Sequence, residues 1–299
     1  MATSAPAEPA SAHPRAARPA PGAVLELLKP ITWFPPMWAF ACGVAASGAD
    51  LAAAWPLALL GIVLAGPLVC GMSQAVNDWF DRHVDAVNEP QRPIPSGRLP
   101  GRTGLWVAVA WTALSLGVGS LLGPWGFAAT ALGVALAWAY SAPPLRLKRD
   151  GWTGNAACAL SYETLPWITA AAVLAGGAPD PRVAGVALLY GLGAHGIMTL
   201  NDFKSIEGDR RFGILSLPVR LGPDRAARLA CVAMAVPQVV VIILLWAWGA
   251  PWHAAAVAAS LLLQLLCMAR WYNGTGVLLY VLGMMASALA LRPVLAAGA

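Results

Sequence analysis

Trp55-Pro56-Leu57-Ala58-Leu59-Leu60-Gly61-Ile62-Val63-Leu64-Ala65-Gly66-Pro67-Leu68-Val69-Cys70-Gly71-Met72-Ser73-Gln74-Ala75-Val76 is an apolar run that carries no charge. It leads straight into Asn77-Asp78-Trp79-Phe80-Asp81-Arg82-His83-Val84-Asp85. A run of about 20 apolar residues can cross a hydrocarbon core of ~30 Å as a helix. The junction therefore reads as a membrane span whose end is loaded with acid.

Eight further runs follow the same rule. Together they predict nine spans, at about 31–50, 55–76, 103–122, 125–140, 155–175, 182–200, 226–248, 252–271 and 275–295. The composition agrees: 59% of the 299 residues are hydrophobic and 11% are charged, against about 25% charged in soluble domains. The fold class expected is an all-α polytopic membrane protein. Residues 1–22 are rich in Ala and Pro without an apolar run and read as a disordered tail; residues 23–299 read as one transmembrane domain. Cys42, Cys70, Cys158, Cys231 and Cys267 all lie in apolar stretches, and they read as packing residues rather than a disulfide framework.

Charge sets the expected orientation. With the N-terminus inside, 17 of the 19 Lys and Arg fall on the inner side and only Arg182 and Arg292 on the outer. Cytoplasmic loops carry that excess. The lipid bilayer is thus the first partner, and nothing in the chain suggests nucleic acid.

The 14 Asp and Glu are scarce, and six of them sit in two windows: Asp78, Asp81 and Asp85 in the first, and Asp202, Glu207 and Asp209 in Asn201-Asp202-Phe203-Lys204-Ser205-Ile206-Glu207-Gly208-Asp209. An Asn-Asp pair ends the second span and again the sixth, each followed by a Pro-containing loop. Two four-helix halves plus a ninth helix would bring these clusters face to face on the cytoplasmic side.

On a helix, residues at i, i+3, i+4 and i+7 share a face. Gln74, Asn77, Asp78, Asp81 and Asp85 form one polar stripe, and Asp202, Ser205 and Asp209 share another face with Glu207 to one side. Adjacent carboxylates repel and are costly beside lipid. A hard cation relieves both costs, and Mg2+ takes one or two carboxylates together with substrate phosphates. Simple pairing with Arg82, Arg210 and Arg211 in solvated loops is the plainer alternative. Two matched clusters at one depth of an acid-poor chain favour the metal.

Tyr140-Ser141-Ala142-Pro143-Pro144-Leu145-Arg146-Leu147-Lys148-Arg149 places three cations just outside the fourth span, where they can stabilise charge on a departing diphosphate. The prolines of Arg92-Pro93-Ile94-Pro95-Ser96-Gly97-Arg98 impose an extended loop beside the first cluster, suited to covering a site. His195, inside the sixth span, either touches substrate, a pigment metal included, or is a hydrogen-bonded interior residue.

The pattern Asn77-Asp78-x-x-Asp81-x-x-x-Asp85 resembles the first diphosphate motif of the UbiA superfamily of intramembrane prenyltransferases, and Asp202, Glu207, Asp209, Arg210 and Gly213 resemble its second. Within that family, Asp85-Ala86-Val87-Asn88-Glu89-Pro90-Gln91-Arg92-Pro93-Ile94-Pro95-Ser96-Gly97, Ser216-Leu217-Pro218-Val219 and Leu28-Lys29-Pro30-Ile31-Thr32-Trp33-Phe34-Pro35-Pro36-Met37-Trp38 are similar to the chlorophyll and bacteriochlorophyll synthase branch, the last to its bacteriochlorophyll side. Ser205 stands where many relatives carry an acid, so Glu207 and Asp209 are expected to bear more of the metal.

The resemblance implies a metal set of Asn77, Asp78, Asp81, Asp85, Asp202, Glu207 and Asp209 with Mg2+ as cofactor. It implies diphosphate binding by Asn77, Arg82, Arg92, Arg146, Lys148, Lys204 and Arg210, and catalysis by Lys148, Arg146, Lys204 and Tyr140. The implied reaction is esterification of the propionate of a (bacterio)chlorophyllide by geranylgeranyl or phytyl diphosphate. The implied setting is a bacterial inner, photosynthetic membrane, with proteins of pigment synthesis or assembly as partners. A prenyltransferase for a quinone or haem precursor is the alternative within enzymes, and a transporter or non-catalytic pigment-binding protein the alternative outside them. A transporter should hold its ionisable groups near mid-membrane; here they gather at one surface.

Overall fold

Each apolar run contains a helix in the computed structural model, which describes residues 21–270 and 273–296, though the run expected at 31–50 is α-helical only over Phe34–Ala46. The greater part of the expected tail, residues 1–20, lies outside the described residues; a short helix, Pro21–Leu27, begins immediately after. Among the described residues there are nine long helices, α1 Phe34–Ala46, α2 Leu51–Asn88, α3 Thr103–Leu121, α4 Gly123–Ser141, α5 Gly151–Ala175, α6 Pro181–Asn201, α7 Pro223–Ala247, α8 Pro251–Ala269 and α9 Asn273–Ala296. Strands are absent among the described residues apart from one isolated bridge, Asp150 to Leu215.

Seven of these helices are long and apolar enough to cross a membrane on their own. α1 is not, because it has 13 residues, about 20 Å at 1.5 Å per residue. α4 has the length but dilutes its aliphatic content with Gly, Trp, Tyr and Ser. α2 is the opposite case. Its 38 residues span about 57 Å, so a helix that crosses ~30 Å of hydrocarbon has several turns left over. Those turns carry the acidic stripe.

Two helices hold π-helical segments, Leu64–Cys70 in α2 and Leu160–Thr164 in α5. Each lies at or just before a proline, Pro67 and Pro166. Proline has no N–H to give to the helix, and a widened turn absorbs the missing bond.

The helices close into a circuit. α2 packs on α3 and α4, α4 on α5, and α5 on α6; α6 packs on α7, α7 on α8, α8 on α9, and α9 returns to α1. α1 also lies along the second half of α5. Small residues permit this closeness, as expected between membrane helices. A Cβ on Gly43 of α1 would sit 2.2 Å from the Trp167 carbonyl oxygen of α5, and one on Gly61 of α2 would enter the Phe40 ring. The largest core cluster joins α1, α5, α6, α7, α8 and α9 around Trp167, Tyr190 and Tyr280. A second seats Leu27 and Leu28 of the N-terminal segment against Met72, Ala75 and Val76 of α2. That seat brings the N-terminal segment to the acidic end of α2.

Candidate active site

Asp78, Asp81 and Asp85 occupy one face of the last turns of α2, as their spacing requires, and each is held by cations from other segments. Asp78 is buried, with 2% of its surface exposed. Lys29 Nζ donates to its Oδ1 at 2.6 Å and Arg92 to the same oxygen at 3.3 Å. Arg92 also donates to Asp85 Oδ2 at 2.8 Å and pairs with Glu89. Asp81 accepts from Lys148 Nζ at 2.5 Å and from Arg146 at 3.3 Å. Lys148 is itself 7% exposed in its side chain, and burial pushes its ammonium pKa below the usual lysine range against the pull of Asp81. Buried charge pairs interact much more strongly than exposed ones, so this face is a strong electrostatic anchor.

Two of these cations sit on strained backbone. Lys29 (φ 48°) and Arg146 (φ 40°) are the residues other than glycine with positive φ among the described residues. A left-handed conformation costs an ordinary residue about 1–2 kcal/mol, and such strain gathers at functional sites. Pro30 disfavours the right-handed helical region for Lys29, and Thr32 caps the turn through bonds of 2.9 Å and 2.8 Å to the Lys29 carbonyl. Lys29 is the functional candidate that sequence reasoning missed, where it enters as one of the inner positive charges and within the stretch 28–38 similar to bacteriochlorophyll synthases, with no site role. Its signal is the Lys-Pro step, legible only once the turn is seen.

The second cluster is built differently. Asp202 closes α6, residues Asp202–Ser205 form a 3-10 turn, and Ile206–Phe212 form a short helix ended by Gly213 at φ 68°. Its buried contacts are neutral. Asn155 of α5 donates to Asp202 Oδ2 at 3.1 Å, and Ser205 Oγ donates to Asp209 Oδ2 at 3.1 Å. Glu207, Lys204 and Arg210 are exposed, and none of the three forms a salt bridge among the described residues. The clusters meet where Gly208 approaches the end of α2: a Cβ there would lie 3.0 Å from Asn88 Nδ2.

Other expected site residues are placed unevenly. Asn77 reaches Ser141 at 3.4 Å, joining the stripe to the end of α4, where Tyr140 is partly buried. Arg82 turns away from the stripe. Its guanidinium stacks 4.3 Å from the Trp79 ring centre and donates to the Trp79 carbonyl at 2.7 Å. The loop Arg92–Arg98 lies beside the first cluster, tied down by two bonds from Arg98 to Glu26, at 2.6 Å and 2.7 Å.

The cationic loop after α4 is stitched to the segment that follows the second cluster. Leu215 N donates to the Arg149 carbonyl and Gly151 N to the Leu215 carbonyl, both at 2.9 Å. Asp150 caps α5 through Trp152 N and Thr153 N and pairs with Arg220. Gly151 is required here, because a Cβ would stand 2.6 Å from Leu217 N.

Among the described residues no three His, Cys, Asp or Glu converge into a ready-made metal cage. The donor set still suits Mg2+, which takes one or two carboxylates and completes its shell with water and phosphate oxygens. Asp78 Oδ2 is buried without a hydrogen-bond partner, an uncompensated acceptor of the kind a hard cation satisfies.

A long helix circuit with paired acidic clusters at one end defines an intramembrane transferase architecture. The profile of the UbiA prenyltransferase family matches residues 33–276, and the chain belongs to that family. It is 61% identical over 292 residues to the bacteriochlorophyll synthase 33 kDa chain of Cereibacter sphaeroides, covering 94% of this chain and 96% of the relative. It is 39% identical to the chloroplastic chlorophyll synthase of Arabidopsis thaliana over 264 residues, 83% of this chain and 66% of the relative. A UbiA homolog from Archaeoglobus fulgidus, solved bound to GPP and Mg2+, superposes with a TM-score of 0.71 at 20% identity, covering 91% of this chain and 99% of that one.

Proposed function

We propose that the chain esterifies the propionate of a bacteriochlorophyllide or chlorophyllide with geranylgeranyl or phytyl diphosphate, releasing diphosphate. The observation that carries the site is the α2 stripe, where Lys29, Arg92, Arg146 and Lys148 converge on Asp78, Asp81 and Asp85. The 61% identity to a bacteriochlorophyll synthase chain supports the choice of acceptor. Nine crossings with the site on the cytoplasmic face are supported by the 17 of 19 Lys and Arg assigned to that side.

Asp78, Asp81 and Asp85, with Asp202, Glu207 and Asp209 opposite, would hold Mg2+ together with the diphosphate oxygens. When bound, the ion supplies a Lewis acid that draws charge from the leaving group. Lys148 and Arg146 carry positive charge to Asp81 in the middle of the stripe, and Lys29 and Arg92 hold its two ends at Asp78 and Asp85. The acceptor carboxylate is ionised near neutral pH, so no general base is needed. One of its oxygens forms the new bond to the allylic C1 as the C1–O bond to diphosphate breaks and its electron pair leaves with diphosphate. Water must be kept from the electron-poor carbon, because it would divert the prenyl group to an alcohol. A small, open apolar crevice between α1, α2, α4 and α5, lined by Phe40, Gly61, Leu64, Val69 and Leu165 among others, offers the prenyl chain an apolar surface to follow.

The test gives purified protein in lipid labelled geranylgeranyl diphosphate with bacteriochlorophyllide or with 4-hydroxybenzoate. Ester formed from the chlorin, lost with EDTA and restored by Mg2+, is expected. Product from the benzoate alone would refute the acceptor, and EDTA-resistant ester would refute the metal.

A further inference from the structure

We propose that His195 and Trp152 form a membrane-facing docking point for the acceptor macrocycle, with the His195 imidazole as axial ligand to its central metal. This rests on the chlorin reading of the site above.

His195 lies in α6 seven residues before Asp202, which places it about 10 Å deeper along the helix. It continues the stripe of Leu188 and Leu192, which are 50% and 63% exposed, so its face of α6 looks toward lipid. A polar side chain on that face is costly unless something binds it. Trp152 of α5 is 43% exposed beside it, with ring centres 5.6 Å apart and planes inclined by 33°.

The hydrogen bonding fits a metal ligand. His195 Nε2 lies 3.3 Å from the Trp152 carbonyl oxygen. A carbonyl only accepts, so Nε2 carries the hydrogen and the lone pair falls on Nδ1. An imidazole anchored through one N–H to a main-chain carbonyl is the usual arrangement of a metal-bound histidine, because the bond fixes the ring and its tautomer. The seam also leads to the reacting end. Thr199 donates to the His195 carbonyl at 2.9 Å, and Asn155, three residues beyond Trp152, reaches both Thr199 and Asp202. A chlorin carries its metal at the ring centre and its propionate several bonds out at the rim. Ligation at His195 sets the macrocycle perpendicular to the imidazole, so that Trp152, inclined by only 33° to the imidazole, meets it by its edge beside the adjacent leucines while the carboxylate points toward Asp202.

The experiment compares Mg-bacteriochlorophyllide, its Zn-substituted form and the metal-free macrocycle, each with geranylgeranyl diphosphate and protein in lipid nanodiscs. Wild-type protein should show a KM about tenfold lower for the metallated acceptors. His195→Ala should erase that preference and leave the KM for the prenyl diphosphate unchanged. Equal use of metallated and metal-free acceptors by wild-type protein would overturn the ligand, as would a preference that survives His195→Ala. Should His195→Ala fail to insert, the absorption spectrum of Zn-macrocycle bound to wild-type protein decides: a shift marking an added nitrogen ligand supports the proposal, and the spectrum of the four-coordinate pigment overturns it. Ester formed equally well on the metal-free ring removes only this inference. Ester formed on no chlorin, with 4-hydroxybenzoate accepted, removes the proposed function and this inference with it.

Discussion

The two acidic clusters use the same residue types to build unlike sites. The α2 cluster is a regular helical stripe whose carboxylates, Asp78 and Asp85 buried and Asp81 half-buried, are bound to four cations from three separate segments. The α6 cluster breaks from helix to 3-10 turn to helix, leaves Glu207, Lys204 and Arg210 exposed, and meets the half-buried Asp202 and buried Asp209 with Asn155 and Ser205. Strong ion pairs in a low-dielectric setting hold the first geometry before substrate arrives. Neutral hydrogen bonds of about 1 kcal/mol each hold the second loosely. The difference suggests that α2 anchors the diphosphate and that the α6 side adjusts to it.

Alanine at the two leading acids breaks the comparison most directly. Asp78→Ala should lower turnover by about 10³-fold, toward the upper end for losing one preorganised electrostatic contact, because it also leaves the half-buried Lys29 without its carboxylate and Arg92 with only Asp85 and Glu89. Asp202→Ala should cost about 10²-fold, since only Asn155 loses its partner. Initial rates at matched amounts of membrane-inserted protein check the order, and equal losses would deny that α2 is the anchor.

The cations sharpen the same contrast. Lys148→Ala should reduce kcat by about 10²-fold, while the exposed Lys204 should matter only a few-fold. A larger loss at Lys204 would show that the α6 side closes over the diphosphate during turnover and supplies a cation that the ground-state geometry keeps in solvent.

Much of this was legible in the chain, for a physical reason. Span positions follow from apolar runs, and the stripe of Asp78, Asp81 and Asp85 follows from helical period, both local properties. What escaped depends on contacts distant in sequence. Nothing around Lys29 says that it will meet Asp78, because the turn at Pro30 and the seating of Leu27 and Leu28 on α2 decide it. Arg82 stands next to the stripe in sequence and leaves it in space, drawn to the Trp79 ring. The π-helical segments arise at prolines that a period count reads through. The seam between Arg149, Gly151 and Leu215 joins residues more than 60 positions apart, and no local pattern marks it.

That seam supplies the subtlest test of the comparison, since it couples the rigid side to the loose one. Gly151→Ala puts a methyl group 2.6 Å from Leu217 N and 2.9 Å from the Ser216 carbonyl carbon, both backbone atoms that cannot rotate away. The two segments must separate, and the loop carrying Lys148 and Arg146 moves with them. The ion pair of Asp150 and Arg220 is too exposed to resist, being 38% and 39% open to solvent, and such pairs contribute about 0–1 kcal/mol. Misplacement by a fraction of an ångström should raise the KM for prenyl diphosphate by about tenfold, within the ~10² known for shifts near 1 Å. The KM for the acceptor and the amount of inserted protein should stay as in wild type. Arg220→Ala, which removes the ion pair and leaves the backbone bonds intact, should change the same KM less than twofold by that energy scale. If the two substitutions act alike, the salt bridge rather than the backbone seam holds the loop, and the coupling between the clusters is electrostatic and should weaken with added salt.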